Sequence, residues 1–384
     1  MAEAKFSYFS RGSVIGREHR AAVSLHGHTN RSKESLHFLP KMAQKCPMLH
    51  AALEKQCRRS TIPVDFVRAY WTPPLTPKLA YEIEREQIEN VLGLMSMVSL
   101  TDHDNIDAPI LLQTMSENAR TPIAVEWSVP FGGAVFHLGV HNLPVGRARE
   151  IMADLAGHTR NPSDKRLNEL LAMLDQFPEV LLVFNHPFWN QGGLGDQRYG
   201  EALNRFLQCS VRFLHAFELN AMRSSKENDN AMKLAERWQR PLISGGDRHG
   251  CEPSGAVNLT RASSFAEFVS EIRQEQRSHV LFMPQYADPV SIRTMRTLLD
   301  VIRNYPDFPI GSQRWDERVF HPDETAGIDR PISTFWKTPP AFVEQILGSV
   351  RLLENTTLQR VLRRVFRGGH SVANPSEIPS EAAS

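Results

Sequence analysis

Seven short apolar, β-prone runs, each ending on a polar or ionisable residue, constrain this 384-residue chain more than any other feature. They are "AAVSLHGH" (21–28), "SMVSLTDHD" (96–104), "TPIAVEWS" (121–128), "AVFHLGVHN" (134–142), "VLLVFNHP" (180–187), "RFLHAFELN" (212–220) and "RPLISGGDRHG" (240–250). Near-continuous apolar runs of this length suit strands covered on both faces, as in a parallel sheet. Helical patterns stand between several of them. "TPKLAYEIEREQIENVLGLM" opens on prolines and sets Leu79, Ile83, Val91, Leu92 and Met95 near one face. "PSDKRLNELLAMLDQF" offers Ser163 as N-cap and spaces Leu167, Leu170, Leu171 and Leu174 at i, i+3, i+4, i+7. "SKENDNAMKLAERWQ" does the same with Ala231, Leu234, Ala235 and Trp238. Strand alternating with helix gives βαβ units and a parallel sheet, open or closed into a barrel.

Two segments break this rhythm. Residues 37–75, ending in the Pro-rich "YWTPPLTP", read as an insertion over the ends of the strands. From 289 to 368 the pattern becomes helical, interrupted by the Pro- and charge-rich 305–338, and predicts an extension packed on the 1–288 domain through Leu358, Val361, Leu362 and Val365. Residues 369–384 are polar and predict a disordered tail. A formal charge of +1 argues against a nucleic-acid partner, which calls for a basic face. Four cysteines without a CxxC pair fit a reducing compartment. The N-terminus has no apolar signal region and no run nears the ~20 apolar residues of a membrane span, so the expectation is a cytoplasmic protein without membrane contact.

In parallel α/β architectures the ligand site gathers where strands end. His26 and His28, two apart, would point to one side of a strand, about 6.6 Å apart along it. Asp247 and His249 repeat that spacing, and His103, Glu126, His137 and His186 each add a donor from a separate run. Six histidines with two carboxylates suit Zn, Mn or Fe better than Mg or Ca. A carboxylate such as Glu126 can bridge two cations, and paired cations imply hydrolysis. One histidine at a strand end is usually a polar cap; the same placement in six segments is not a packing requirement.

Together these runs resemble the PHP (polymerase and histidinol phosphatase) superfamily, metal-dependent phosphoesterases on a distorted (β/α)7 barrel. "LHGHT", "LTDHD", "VEWS", "FHLGV", "NHP" and "GGDRHG" match its motifs in order over roughly residues 20 to 285. The resemblance implies two or three divalent ions. His26, His28, Glu126 and Asp247 would hold one; Glu126, His137 and His186 a second; His103 and His249 would contribute to a third. It also implies a small phosphate ester as substrate, attacked by a metal-bridging hydroxide. An amide, carbamate or carboxylic ester hydrolase at the same site is the alternative, and a non-catalytic metal-binding module a second one.

One position departs from the family pattern. In "HTNRSKES" Lys33 stands where an Asp completing the third site is expected. Either that site is empty, or Glu34 reaches it, or the insertion rearranges the loop. With the site empty, Lys33 would contact a substrate oxyanion, or else point to solvent, and His249 or His103 would protonate the leaving oxygen. Arg248, between two candidate ligands, faces away from them on a strand and packs; past the strand end it would reach substrate. Asp102 and Asp104 would orient imidazoles or cap a helix. His141 shares strand parity with His137, and Arg223 and Lys226 are candidate anion contacts.

Overall fold

All seven runs become strands, and most positions in them are buried. In a computed structural model that describes residues 3–10, 15, 18–36, 51, 68–115, 121–190, 193–305, 314–323, 326–335 and 348, they are β2 (Ala21–Leu25), β5 (Met95–Ser99), β6 (Val125–Phe131), β7 (Ala134–His141), β8 (Leu181–Asn185), β9 (Ala216–Asn220) and β10 (Leu242–Gly245). One five-stranded sheet runs β1 (Glu3–Tyr8), β12 (Arg277–Phe282), β11 (Ala256–Thr260), β2, β5; another runs β10, β9, β8, β7, β6. Neither is wholly parallel, which corrects the uniform βαβ expectation. β11 is antiparallel to β2 and β12. β7 is antiparallel to both its neighbours because only Gly132 and Gly133 separate it from β6. Both glycines have positive φ, 60° and 85°, as a two-residue hairpin demands.

The two sheets meet twice through isolated parallel bridges, Gly27 with Arg248 and His103 with Glu126. They also share an interior. Ala21, Val23 and Leu25 of β2, Leu181 and Val183 of β8, Ala216 of β9 and Ile243 of β10 form one apolar cluster with Phe265, Phe268, Val269 and Ile272 of α7 (Phe265–Arg273). The larger core lies outside the second sheet, against α3 (Ala148–Arg160), α4 (Asp164–Asp175), α5 (Asp196–Ser210) and α6 (Ser225–Trp238). Ser163 caps α4, whose four leucines are buried as their spacing predicts. A capping box of Ser224 and Glu227 opens α6. Before them α1 (Pro77–Glu86) continues as a π-helical turn, Gln87–Leu92, that ends on left-handed Gly93; α2 (Asp107–Gln113) follows β5.

A third sheet, β14 (Ile328–Pro331), β13 (Val319–Asp323), β4 (Tyr70–Trp71), β3 (Glu34–Ser35), was not foreseen. It adds strands to the extension expected to be helical: α8 (Val290–Ile302) is helical, and within the Pro- and charge-rich 305–338 that interrupts the helical pattern the chain forms an antiparallel hairpin beside residues 70–71. Most of the insertion at 37–75, the second predicted C-terminal helix and the tail lie outside the described residues.

Candidate metal centre

The donors converge. Glu126 sits in β6 with its side chain 1% exposed, and its two oxygens divide the histidines between them. Oε1 lies 3.0 Å from His186 Nε2 and 3.4 Å from His137 Nδ1. Oε2 lies 3.0 Å from His26 Nε2, 3.3 Å from His28 Nε2 and 3.4 Å from His103 Nδ1. Asp247 Oδ1 stands 3.7 Å from both His26 Nε2 and His28 Nε2 and 3.5 Å from His249 Nδ1. All eight sequence-predicted ligands are therefore in one cluster.

How they arrive differs from the strand argument. β2 and β10 end before the two i, i+2 pairs, so neither pair lies on a strand. Instead the backbone turns at once into left-handed geometry: His26 has φ 62°, Asp247 47° and, after β8, His186 26°. His and Asp tolerate this region better than most residues, and such conformations concentrate at functional sites. The rings of His26 and His28 end 5.2 Å apart.

Glu34 joins them. Its Oε2 is 3.2 Å from His249 Nε2 and 3.4 Å from His103 Nε2, and its Oε1 is 3.7 Å from His28 Nδ1. Lys33, the residue before β3, turns the other way. Lys33 is 58% exposed, pairs with Asp329 at 3.0 Å and lies over the Tyr70 ring. The expectation that Lys33 meets a substrate oxyanion is corrected. Of the two roles expected for Arg248, packing is the one found rather than reaching substrate: its buried guanidinium donates to Glu84 Oε1 and to the carbonyls of Gly250 and His28, a brace.

Outside this ring, polar partners fix the donors. Glu218, in β9, lies 2.5 Å from His26 Nδ1 and accepts the His186 amide. Asn185 donates to Glu126 Oε1, and Arg223 Nη2 to Asp247 Oδ2, leaving Asp247 Oδ1 for the cluster. Arg223 thus grips a candidate ligand while stacking on Trp189, whereas Lys226 is exposed. Ser32 donates to Glu34 Oε1 and accepts the His103 amide. Asp102 orients the loop through both the amide and hydroxyl of Thr29, and Asp104 accepts the Ser128 amide; neither caps α2. His141 turns to Ser99 and joins no ligand set. Glu218 escaped the sequence reading because no motif marks it. A carboxylate in the apolar run "HAFELN" was the available signal, since buried charges are rare unless employed.

Electrostatics and unsatisfied atoms point the same way. Burial pushes the Glu126 carboxyl up, yet His26, His103 and His137 outweigh it and hold it well below the usual carboxylate range. Glu34 and Asp247 are also held well below theirs against burial, Glu34 by His249 and His103 and Asp247 chiefly by Arg223. Burial lowers His103, but Glu34 and Glu126 drive it to about 10. His137, dominated by burial, falls to about 4. So dense a set of carboxylates demands positive charge. Meanwhile His26 Nε2, His28 Nε2, His103 Nδ1, His137 Nδ1 and Glu126 Oε2, all buried, have no hydrogen-bond partner. Buried polar atoms are normally paired, and a divalent cation satisfies both the charge and the orphaned lone pairs. Four donor sets are close enough to share an ion: His26, His28 and Asp247; His26, Glu126 and His186; His103, Glu126 and His137; His28, Glu34, His103 and His249.

No known family matches the chain, and neither does any curated protein. Among solved structures it is similar to PsfC from Pseudomonas syringae PB-5123, at 19% identity over 58% of this chain and 87% of that one, TM-score 0.37. A protein assigned as a metal-dependent phosphoesterase from Bifidobacterium adolescentis gives 13% identity over 66% and 95%, TM-score 0.35. An amidohydrolase from Chromobacterium violaceum, with bound sulfate and no metal, gives 15% over 59% and 87%, TM-score 0.32. Likeness this low assigns neither a family nor an activity. Among the described residues no helix is long and apolar enough to cross a membrane.

Proposed function

We propose that this chain is a metal-dependent phosphoesterase of PHP type that acts on a small phosphate ester. The observation that carries the reading is the division of Glu126: one carboxylate, fully buried, faces two histidines with one oxygen and three with the other. That is the arrangement a bridging ligand between two cations needs. The distorted (β/α)7 barrel is supported by the two bridges between the sheets, which would make β2, β5, β6, β7, β8, β9 and β10 a ring around the shared apolar interior.

His26, His28, Asp247 and Glu126 would hold one ion, Glu126, His137 and His186 a second, and His28 or His103 with His249 and Glu34 a third. Bound there, Zn, Mn or Fe would polarise a phosphoryl oxygen and make water nucleophilic at neutral pH. The chain's own residues do the rest. Glu218 would set the tautomer of His26 by accepting a hydrogen bond from its Nδ1–H, so that Nε2 presents a lone pair to the cluster. Arg223 fixes Asp247 through one oxygen. Burial of the donors keeps water from competing for them. With Glu34 supplying the fourth donor, His103 and His249 serve as ligands rather than proton donors. An amide, carbamate or carboxylic ester hydrolase at the same site is the alternative; a third donor set completed by Glu34 favours the more highly charged phosphate ester.

The test is hydrolysis of an aryl phosphate against an aryl acetate with added Mn or Zn, alongside metal analysis of the purified protein. Phosphatase activity that disappears together with bound metal in Glu126→Ala supports the reading. Preference for the acetate, or metal content unchanged by Glu126→Ala, overturns it.

A further inference from the structure

Glu34 owes its place to a strand only two residues long. β3 pairs Glu34 with Trp71 and Ser35 with Tyr70 on β4, itself two residues long. A pairing so short has little stability of its own. What continues it is the C-terminal hairpin: Trp71 pairs with Val319 and Tyr70 with Phe320, and β13 pairs on with β14. The Tyr70 and Phe320 rings stack at 5.2 Å, and the Thr72 amide donates to the Arg318 carbonyl. Arg318, itself buried, donates to the carbonyls of Val301 and Arg303 at the end of α8. On the outer face Lys33 Nζ and Tyr70 Oη both reach Asp329 Oδ2, at 3.0 and 3.1 Å. A continuous line of contacts therefore runs from α8 through the hairpin to the residue beside Glu34.

We propose that Arg318 with β13 and β14 form a strap that positions the Glu34 carboxylate against His28, His103 and His249, and that Lys33 is a positioning residue acting through Asp329. The proposal rests on the metal-centre reading above. Its logic is pre-organisation. A strand ordered before the ion arrives binds it without bearing the conformational cost of ordering at that moment. Lys33, displaced from the ligand position, then serves the same site from outside, through Asp329. A segment far along the chain thus completes the first motif.

The experiment is titration of full-length, chelator-stripped protein with Mn or Zn, reading stoichiometry and affinity per chain by calorimetry, with cobalt absorption as a second readout. Phe320→Ala combined with Asp329→Ala should weaken one ion about tenfold and leave the others unchanged, as loss of an orienting partner does. Lys33→Ala alone should weaken the same ion about two- to fivefold, the reach of an exposed ion pair, and Lys33→Arg should restore it. Glu34→Gln should lose that ion altogether. If Glu34→Gln loses one ion while the strap variants bind every ion as tightly as the unaltered protein, the strap is wrong and the metal centre stands. If Glu34→Gln binds as many ions as tightly as the unaltered protein, the third donor set fails and takes the strap with it.

Discussion

Gly245 has no room for a side chain, because the Glu218 carboxylate occupies the space its Cβ would fill. Gly245→Ala should therefore cost about 3 kcal/mol, the upper range of overpacking, read as a lower urea midpoint. Gly157→Ala, on α3 with nothing within 4 Å of the added methyl, should gain about 0.5–1 kcal/mol. Equal shifts in the two variants would contradict the packing. Glu218→Gln keeps the volume but removes the charge that turns His26 Nε2 inward. Cation affinity should fall about 10- to 100-fold with the fold intact; unchanged affinity would deny Glu218 its role. At this scale the sequence was legible where an ionisable residue at the end of an apolar run also falls in a motif, which places all eight predicted ligands and misses Glu218. It was illegible where one residue of register decides. "SKES" does not reveal which of Lys33 and Glu34 faces inward, because that depends on β4 and β13, neither of which has a pattern of its own.

Elements whose signals are local could be read directly. Helix α4 begins at its Ser163 cap and buries the leucines its spacing selects, and α6 begins with its pattern at Ser225, capped by Ser224 one residue earlier. The Ser224 hydroxyl accepts the Glu227 amide while Glu227 returns to the Ser224 amide. Ser224→Ala should thus destabilise by about 1 kcal/mol and Ser224→Thr much less, measured as midpoint shifts; no loss in the alanine variant would mean the box is idle. The hairpin direction of β7 was equally local: adjacent glycines between two β runs signal a two-residue turn, and that signal outranks the βαβ rhythm around it. The third sheet is the opposite case. Two of its strands are two residues long, and β4 finds its other partner, β13, about 250 residues away in sequence, so tertiary contact rather than propensity makes them.

Across the whole molecule, the opposing pulls of burial and charge set how stability responds to acid. His215 shows this away from the metal centre. Its Nδ1 accepts the Leu182 amide of β8, so the proton sits on Nε2, which lies 2.9 Å from Asp175 Oδ1 at the end of α4. Asp175 is shared with Arg273 of α7, so one imidazole joins a strand and two helices. Burial dominates Asp175's pull and, with Arg273 and Arg240 opposing protonation, brings His215 down to about 4 from 6.5. The unfolded chain then takes up a proton that the folded one refuses, so this group's stability is intact above pH 6.5 and drains away as pH falls toward 4. The loss amounts to up to about 3 kcal/mol. Protonation would also deprive the Leu182 amide of its acceptor. His215→Asn keeps an acceptor near Nδ1 and does not titrate. Its stability at pH 7 should be somewhat lower than that of the unaltered protein, but the difference should shrink on acidification and close near pH 4. Chemical denaturation across pH 4–7 measures both curves, and parallel curves would show that His215 titrates alike in the folded and unfolded chain.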